Sequence, residues 1–207
     1  MENTFPLLFA LVVGFTHAFE ADHLVAVSNI VTRRDQLKLA VKDGIYWGLG
    51  HSSTILLIGM MVILGKAAIS ENVFGYLEAV VGAMLIGLGL WRLTKAYRKR
   101  GEVDKLTDHD HGHRLAYGVG LIHGLAGSGA LILLVLANGE SPVHGILYLL
   151  LFGLGSVGGM LVAAGVLGLP FSKSLLRSPA LQLGLIVLSS LLCIGYGSYV
   201  LVENLSV

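Results

Sequence analysis

The chain has 207 residues, of which 55% are hydrophobic and only 13% are charged, and its mean hydropathy is +0.78. So little charge excludes an ordinary soluble domain and predicts a single all-α domain in a lipid bilayer. The net charge of +1 gives no reason to expect nucleic acid as a partner, and the single Cys193 excludes a disulfide framework or a cluster of thiolate metal ligands.

Apolar runs bounded by charged residues predict a polytopic membrane protein with six transmembrane helices. Their ranges are 5–31, 44–65, 74–94, 115–137, 143–169 and 180–202. The first run is not expected to be a cleaved signal, because it lacks a basic start and is too long. Of the 14 Lys and Arg residues, only Lys66 falls on the same side as the N-terminus. The positive-inside rule therefore predicts that both termini lie outside the cell membrane.

The middle of the first predicted span carries two imidazoles and two carboxylates, His17, Glu20, Asp22 and His23. A charged carboxylate at bilayer depth costs about 2.5–3.5 kcal/mol even on lenient insertion scales, so these residues are functional candidates. On an ideal helix Asp22 points about 140° away from His17. We therefore expect either that the segment unwinds locally or that Asp22 orients a neighbouring imidazole through its ring N–H.

Glycine-containing patterns recur in the same order in the two halves of the chain. Residues 14–18 resemble 120–124, residues 48–51 resemble 153–156, and residues 87–91 resemble 195–199. With three spans in each half, the second copy must be inverted, which is the layout of many secondary transporters. We predict repeat one at 1–94 and repeat two at 115–207. The alternative is that glycine-rich helices look alike because they pack closely.

The stretch 95–114 between the repeats is polar and is predicted to be an exposed cytoplasmic loop. It contains Asp108-His109-Asp110-His111-Gly112-His113, which could buffer metal ions or form a solvated linker. Asn138, Glu140 and His144 are predicted in a short outer loop, where they could attract a cation or cap a helix.

Histidines in other spans lie at the depth of His23. His51 is seven residues inside the cytoplasmic end of span two, and His23 and His123 are each eight residues inside the same boundary. At ~1.5 Å per residue these depths agree closely. Imidazoles with some carboxylate favour a first-row divalent metal such as nickel, cobalt, copper or zinc, whereas calcium or magnesium sites are rich in oxygen. A lone intramembrane histidine such as His123 equally suits a hydrogen bond between helices.

These residues carry a resemblance to a known family. His17, followed after four residues by Asp22 and His23, resembles the His-x4-Asp-His signature of the nickel/cobalt transporter family, and Gly50-His51-Ser52-Ser53 resembles its second signature. The stretch Gly-Leu-Ile-His-Gly-Leu-Ala-Gly-Ser-Gly, which includes His123, resembles the smaller six-span, urease-accessory-like branch.

The resemblance implies transport of Ni²⁺ or Co²⁺ as a substrate, with no cofactor and a link to the maturation of nickel enzymes. It also implies that His17, Asp22, His23 and His51 recognise the metal. Glu20 stands where the larger permeases usually have Asp, and Thr16 where they usually have Arg, so the choice of cation and the direction of transport stay open.

We therefore predict a secondary transporter with a metal site drawn from His17, Asp22, His23, His51, Glu20 and His123, and with uptake favoured over efflux. The sequence has no P-loop for ATP, but a dication that moves inward across 100 mV gains about 4.6 kcal/mol.

Two alternatives are a metal-dependent intramembrane hydrolase, in which His and Asp hold a zinc-activated water, and an organic-solute exporter of similar topology. A serine protease of the rhomboid type is disfavoured, because no histidine follows His144 to act as the base for Ser128.

Overall fold

The computed structural model describes residues 4–32, 34, 36–65, 71–98, 109–126, 141–171 and 179–206. Over these ranges the chain forms seven α-helices and no strand, which confirms the all-α prediction. The helices are α1 (Thr4–His17), α2 (Ala21–Val31), α3 (Leu37–Gly65), α4 (Glu71–Arg98), α5 (His109–Ala126), α6 (Pro142–Gly168) and α7 (Pro179–Leu205). A 3₁₀ turn, Leu169–Phe171, follows α6.

Four helices, α3, α4, α6 and α7, are long and apolar enough to cross a bilayer. The pair α1 and α2 passes the same test as one bent span, which gives up to five candidate spans in the described ranges. The predicted fourth span, 115–137, is described only as far as Ala126, so the count of six spans stays a prediction.

The first span is broken at Ala18–Glu20, and its two halves meet at a bend of 58°. The N–H groups of Phe19 and Glu20 donate to the carbonyl oxygens of Thr16 and His17, at 2.9 and 3.0 Å, so the chain makes a tight turn here. Glu20 then has an extended backbone (φ −64°, ψ 155°) before α2 begins. The predicted local unwinding is therefore confirmed, and the angles of one continuous helix do not apply to Asp22.

Glycines allow α3 and α5 to pack with their backbones in contact. A Cβ atom on Gly120 would collide with the backbone of Trp47, and one on Gly50 would collide with the backbone of Tyr117. A Cβ atom on Gly124 would collide with the backbone of His51, and both residues lie four positions after the Gly120–Trp47 contact, so α3 and α5 run parallel. Thr54 strengthens the pairing by donating its hydroxyl to the carbonyl of Leu121 at 2.9 Å.

The same type of contact joins α1 to α6. A Cβ atom on Gly14 would collide with the backbone of Phe152, and one on Gly155 with the backbone of Leu11. Gly14 corresponds to Gly120 in the sequence pattern that the two halves share. These contacts therefore involve the same positions of that pattern in both pairs of helices.

The polar stretch 95–114 is less of a loop than predicted. Residues 95–98 complete α4 and residues 109–114 begin α5, whereas 99–108 lie outside the described residues. His113 is also not exposed, because its ring packs into the protein and only 4% of the residue is accessible.

His144, predicted in an outer loop, lies in the first turn of α6, and its Nδ1 is 2.8 Å from the hydroxyl of Ser141. Asn138 and Glu140 lie outside the described residues.

Candidate metal site

Four histidines from four helices converge in the interior. The ring of His23 in α2 lies 4.5 Å from that of His17 in α1, 5.0 Å from that of His51 in α3 and 4.4 Å from that of His123 in α5, measured between centroids. His23, His51 and His123 are fully buried, and the side chain of His17 is 11% exposed. The structure thus brings together the four histidines that the sequence analysis predicted for the metal site.

Ring nitrogens and one carboxylate form two overlapping groups that could hold a metal ion. One group is His17, His23 and His51, and the other is Asp22, His23 and His123, with the ligand atoms of each group within 4.8 Å of one another. Nitrogens that bind one ion at about 2.0–2.1 Å lie within roughly 4 Å of each other, so small side-chain rotations would complete the site of His17, His23 and His51.

The two carboxylates orient three of the imidazoles. Nδ1 of His23 and Nε2 of His123 donate to the two oxygens of Asp22, each at 2.9 Å. Nδ1 of His17 donates to Oε1 of Glu20 at 2.9 Å. Since a neutral imidazole has one N–H and one lone pair, each of these bonds turns the lone pair of the other nitrogen to the interior.

Ring nitrogens on all four histidines are buried without a hydrogen-bond partner in the described part of the chain. They are Nε2 of His17, Nε2 of His23, both nitrogens of His51 and Nδ1 of His123. A buried polar atom with no hydrogen-bond partner costs free energy of folding. A cluster of unpartnered ring nitrogens at one place therefore requires an explanation. Coordination of a cation by these lone pairs would provide one, with Glu20 and Asp22 holding the rings in place.

Aromatic side chains form the wall behind the histidines. The indole of Trp47 lies 5.5 Å from the ring of His23 and 5.8 Å from that of His123, and the ring of Phe152 lies 5.3 Å from that of His17. Trp47 and Phe152 come from the two helices whose backbones meet Gly120 and Gly14. The close helix packing therefore also sets the walls of the site and keeps water away from that face.

A cavity of about 410 Å³ reaches the site from one end of the helices. His17 and Asp22 line its inner part, and Glu78, Tyr199 and Glu203 line the part near the start of α4 and the end of α7. Glu78 and Glu203 were not among the site residues predicted from the sequence. An acidic residue inside the predicted span 74–94 was the available signal for Glu78, whereas Glu203 follows its predicted span by one residue and gave no comparable signal.

Comparison with known proteins identifies relatives of the chain. A family model described as cytochrome C biogenesis protein transmembrane region matches residues 25–199. Urease accessory protein UreH of Bacillus sp. (strain TB-90) is 37% identical over 179 residues, 81% of this chain and 78% of that protein. A putative nickel/cobalt efflux system of Methanocaldococcus jannaschii is 28% identical over 74% of this chain and 73% of its own. No solved structure matches the chain.

Matches to larger transport proteins cover less of either chain. The high-affinity nickel transport protein of Cupriavidus necator is 28% identical over 89 residues, which are 42% of this chain and 25% of that protein.

Proposed function

The chain belongs to the nickel/cobalt transporter family, and we propose that it is a secondary transporter of Ni²⁺ or Co²⁺. Within the family it is similar to the urease accessory protein UreH. The metal ion would cross the cell membrane through the histidine site. One observation carries the proposal: the nitrogens of His17, His23 and His51, from three helices, lie within 4.8 Å of one another. As a member of this family the chain is a transport protein rather than an enzyme.

The donor set supports a nickel or cobalt substrate. Imidazole nitrogens suit the later first-row divalent metals, and carboxylate oxygens contribute charge without making the site rich in oxygen. The one thiol of the sequence, Cys193, donates to the carbonyl of Val25 at 3.7 Å and belongs to neither ligand group. The metal ion is a transported substrate that must be released, and it is not a resident cofactor.

The cavity provides a path by which a hydrated cation reaches the histidines. Its glutamates would attract the ion, and the imidazoles would then replace most of its water ligands. Of the four rings, that of His51 has no hydrogen bond at either nitrogen among the described residues. His51 can therefore turn toward an arriving ion without breaking a bond.

Uptake is the direction that the position of the cavity favours. Glu78 and Glu203 lie near the helix ends on the side of the N-terminus, and the positive-inside rule assigns that side to the exterior. Metal would then enter from outside and move down the membrane potential. A urease accessory protein among the relatives supports a further role, supply of nickel for the maturation of a nickel enzyme.

Inverted three-helix repeats are the proposed basis of alternating access. The contacts of Gly14 with Phe152 and of Gly120 with Trp47 join equivalent positions of the two halves. His17 and His123 occupy equivalent positions in the same pattern. One repeat can therefore rock against the other along these smooth glycine surfaces while the ion stays between them.

The test is flux of Ni²⁺, Co²⁺, Zn²⁺ and Mn²⁺, measured in parallel with purified protein in liposomes that carry an inward-negative potential. We expect Ni²⁺ or Co²⁺ to accumulate and the His51→Ala variant to lose at least nine-tenths of the flux. His144→Ala, which removes a histidine outside the site, should transport normally. Absence of flux for all four metals, or equal flux in both variants, would contradict the proposal.

A further inference from the structure

A second buried cluster of charged and polar groups consists of Arg34, Asp43 and His113. Arg34 donates from Nε to Oδ2 of Asp43 at 2.5 Å and from a terminal nitrogen to Oδ1 at 2.8 Å. His113 donates from Nδ1 to Oδ1 of Asp43 at 2.6 Å. The three residues are only 3%, 1% and 4% exposed. A bidentate pair between guanidinium and carboxylate is directional and strong when it is made.

The cluster joins the three segments that carry three of the site histidines. Arg34 follows α2, which carries His23. Asp43 and His113 lie near the starts of α3 and α5. Asp43 precedes His51 by eight residues and His113 precedes His123 by ten, so the cluster lies about 12 to 15 Å from the site. The cavity lies on the other side of the site, beside the start of α4 and the end of α7.

Other contacts close the same end of the protein. The ring of Tyr46 stacks on that of His113, with centroids 5.1 Å apart and planes 12° apart. Arg92 of α4 donates to the carbonyl of Thr32 at 3.0 Å, which ties α4 to the end of α2. At this end α2, α3, α4 and α5 are therefore linked by polar bonds between buried groups.

We propose that Arg34, Asp43 and His113 form the gate that closes the metal path on the side rich in lysine and arginine, and that this structure is the state open to the other side. This proposal rests on the proposed transport function, which identifies the passing ion as Ni²⁺ or Co²⁺. An ion pair suits a gate, because its charges are stabilised by each other when the helix ends are together and by water when the ends separate. An apolar plug would have no such second stable arrangement.

The rival interpretation is a static brace that only holds α3 against α5. A brace and a gate differ in what happens when the cluster is broken. Loss of a brace would loosen the fold without preference for either side. Loss of a gate would raise access to the interior from the cluster side and lower it from the cavity side, because the two accesses alternate.

Cysteine labelling in sealed vesicles separates these outcomes. Cys193 is buried and is the only cysteine in the sequence, so Cys193→Ala gives a background for single reporters. Ala116→Cys places a thiol at a fully buried position of α5 between His113 and His123. Val200→Cys places one on the wall of the cavity. A membrane-impermeant maleimide is added to one side at a time.

We expect Asp43→Asn to raise the labelling rate of the Ala116→Cys reporter from the cluster side at least tenfold and to lower that of the Val200→Cys reporter severalfold. Lys38→Gln removes an exposed charge from the same helix and should change neither rate. Equal rates in Asp43→Asn and Lys38→Gln, or a rise at both reporters, would overturn the gate.

A second pair of variants keeps the test decisive if Asp43→Asn does not fold. In His113→Asn an amide N–H can replace the Nδ1–H that donates to Asp43, whereas His113→Leu removes the donor and leaves the pair with Arg34. We expect labelling of the Ala116→Cys reporter to rise in His113→Leu and to stay near the parent rate in His113→Asn. Equal labelling in these two variants refutes the gate. Labelling requires no metal, so a protein that carries no Ni²⁺ but shows these rates would refute the transport function alone.

Discussion

Asp22 in the first turn of α2 accepts a hydrogen bond from the ring of His123 in α5, 2.9 Å away across the candidate site. Its second oxygen accepts from the ring of His23 at the same distance. One carboxylate thus fixes the tautomers of two imidazoles from two helices. Carboxylates that orient metal-binding histidines in this way contribute to affinity without touching the ion.

Asp22→Asn should therefore weaken metal binding about 10- to 100-fold. In asparagine one of the two acceptor oxygens is replaced by an NH₂ group, which presents a donor to one of the two ring N–H groups. Ni²⁺ quenching of Trp47 fluorescence, in a Trp91→Phe background, measures the affinity, since the indole lies 5.5 Å from His23. Glu20→Gln is the matched control. Its side chain is 58% exposed and, among the described residues, bonds to one imidazole, that of His17. The loss should therefore be smaller, and an equal loss would argue against the orienting role.

His51→Leu should separate function from stability. His51 is fully buried with both ring nitrogens unpartnered among the described residues, so an apolar side chain of similar size removes the cost of that burial. We expect the metal-free protein to be unchanged or more stable by about 1 kcal/mol, and nickel affinity to fall at least 100-fold. Denaturant titration and Trp47 quenching measure the two effects. A variant that is destabilised and still binds nickel would identify His51 as structural.

The convergence of the histidines could be predicted because depth in a bilayer follows directly from counting residues along a span. That count alone predicted a common depth for His23, His51 and His123. The gate could not be found in this way, because Arg34 and Asp43 lie at a predicted span boundary, where charges are expected anyway. Burial of His113 depends on the register between α3 and α5, and that register is set by backbone contacts of glycines far along the sequence.

Gly120→Ala and Gly118→Ala test that register within one helix. A Cβ atom at Gly120 would meet the backbone of Trp47, whereas one at Gly118 meets nothing within 4 Å. We expect Gly120→Ala to destabilise the protein by about 1–3 kcal/mol, because backbone cannot move aside as a flexible side chain can. Gly118→Ala should be neutral or stabilise by about 0.5–1 kcal/mol, since alanine favours a helix. Unfolding in a mild detergent with added denaturant compares them, and similar values for both would contradict direct packing of α3 on α5.

Glu78→Gln combined with Glu203→Gln should raise the metal concentration needed for half-maximal uptake. Both side chains line the cavity and neither belongs to a ligand group of the site, so the maximal rate should be kept. We expect a rise of roughly 3- to 10-fold at low ionic strength that shrinks in 0.5 M salt, since attraction by exposed charges is screened. A fall in maximal rate with unchanged half-saturation would place these glutamates in the transport step rather than in attraction.

Nickel should also stabilise the folded protein, because the ligands come from segments that meet only when α1, α2, α3 and α5 are packed. At a free concentration 100 times the dissociation constant, a one-site ligand stabilises by about 2.7 kcal/mol. Thermal unfolding with Ni²⁺ and then with excess chelator should show a rise in Tm that is fully reversed. Mg²⁺ at the same concentration should have no effect, because it prefers oxygen ligands. His51→Leu should abolish the rise in Tm that Ni²⁺ produces. A rise that survives in this variant would show that nickel stabilises the protein from another position, such as the histidines at 109–113.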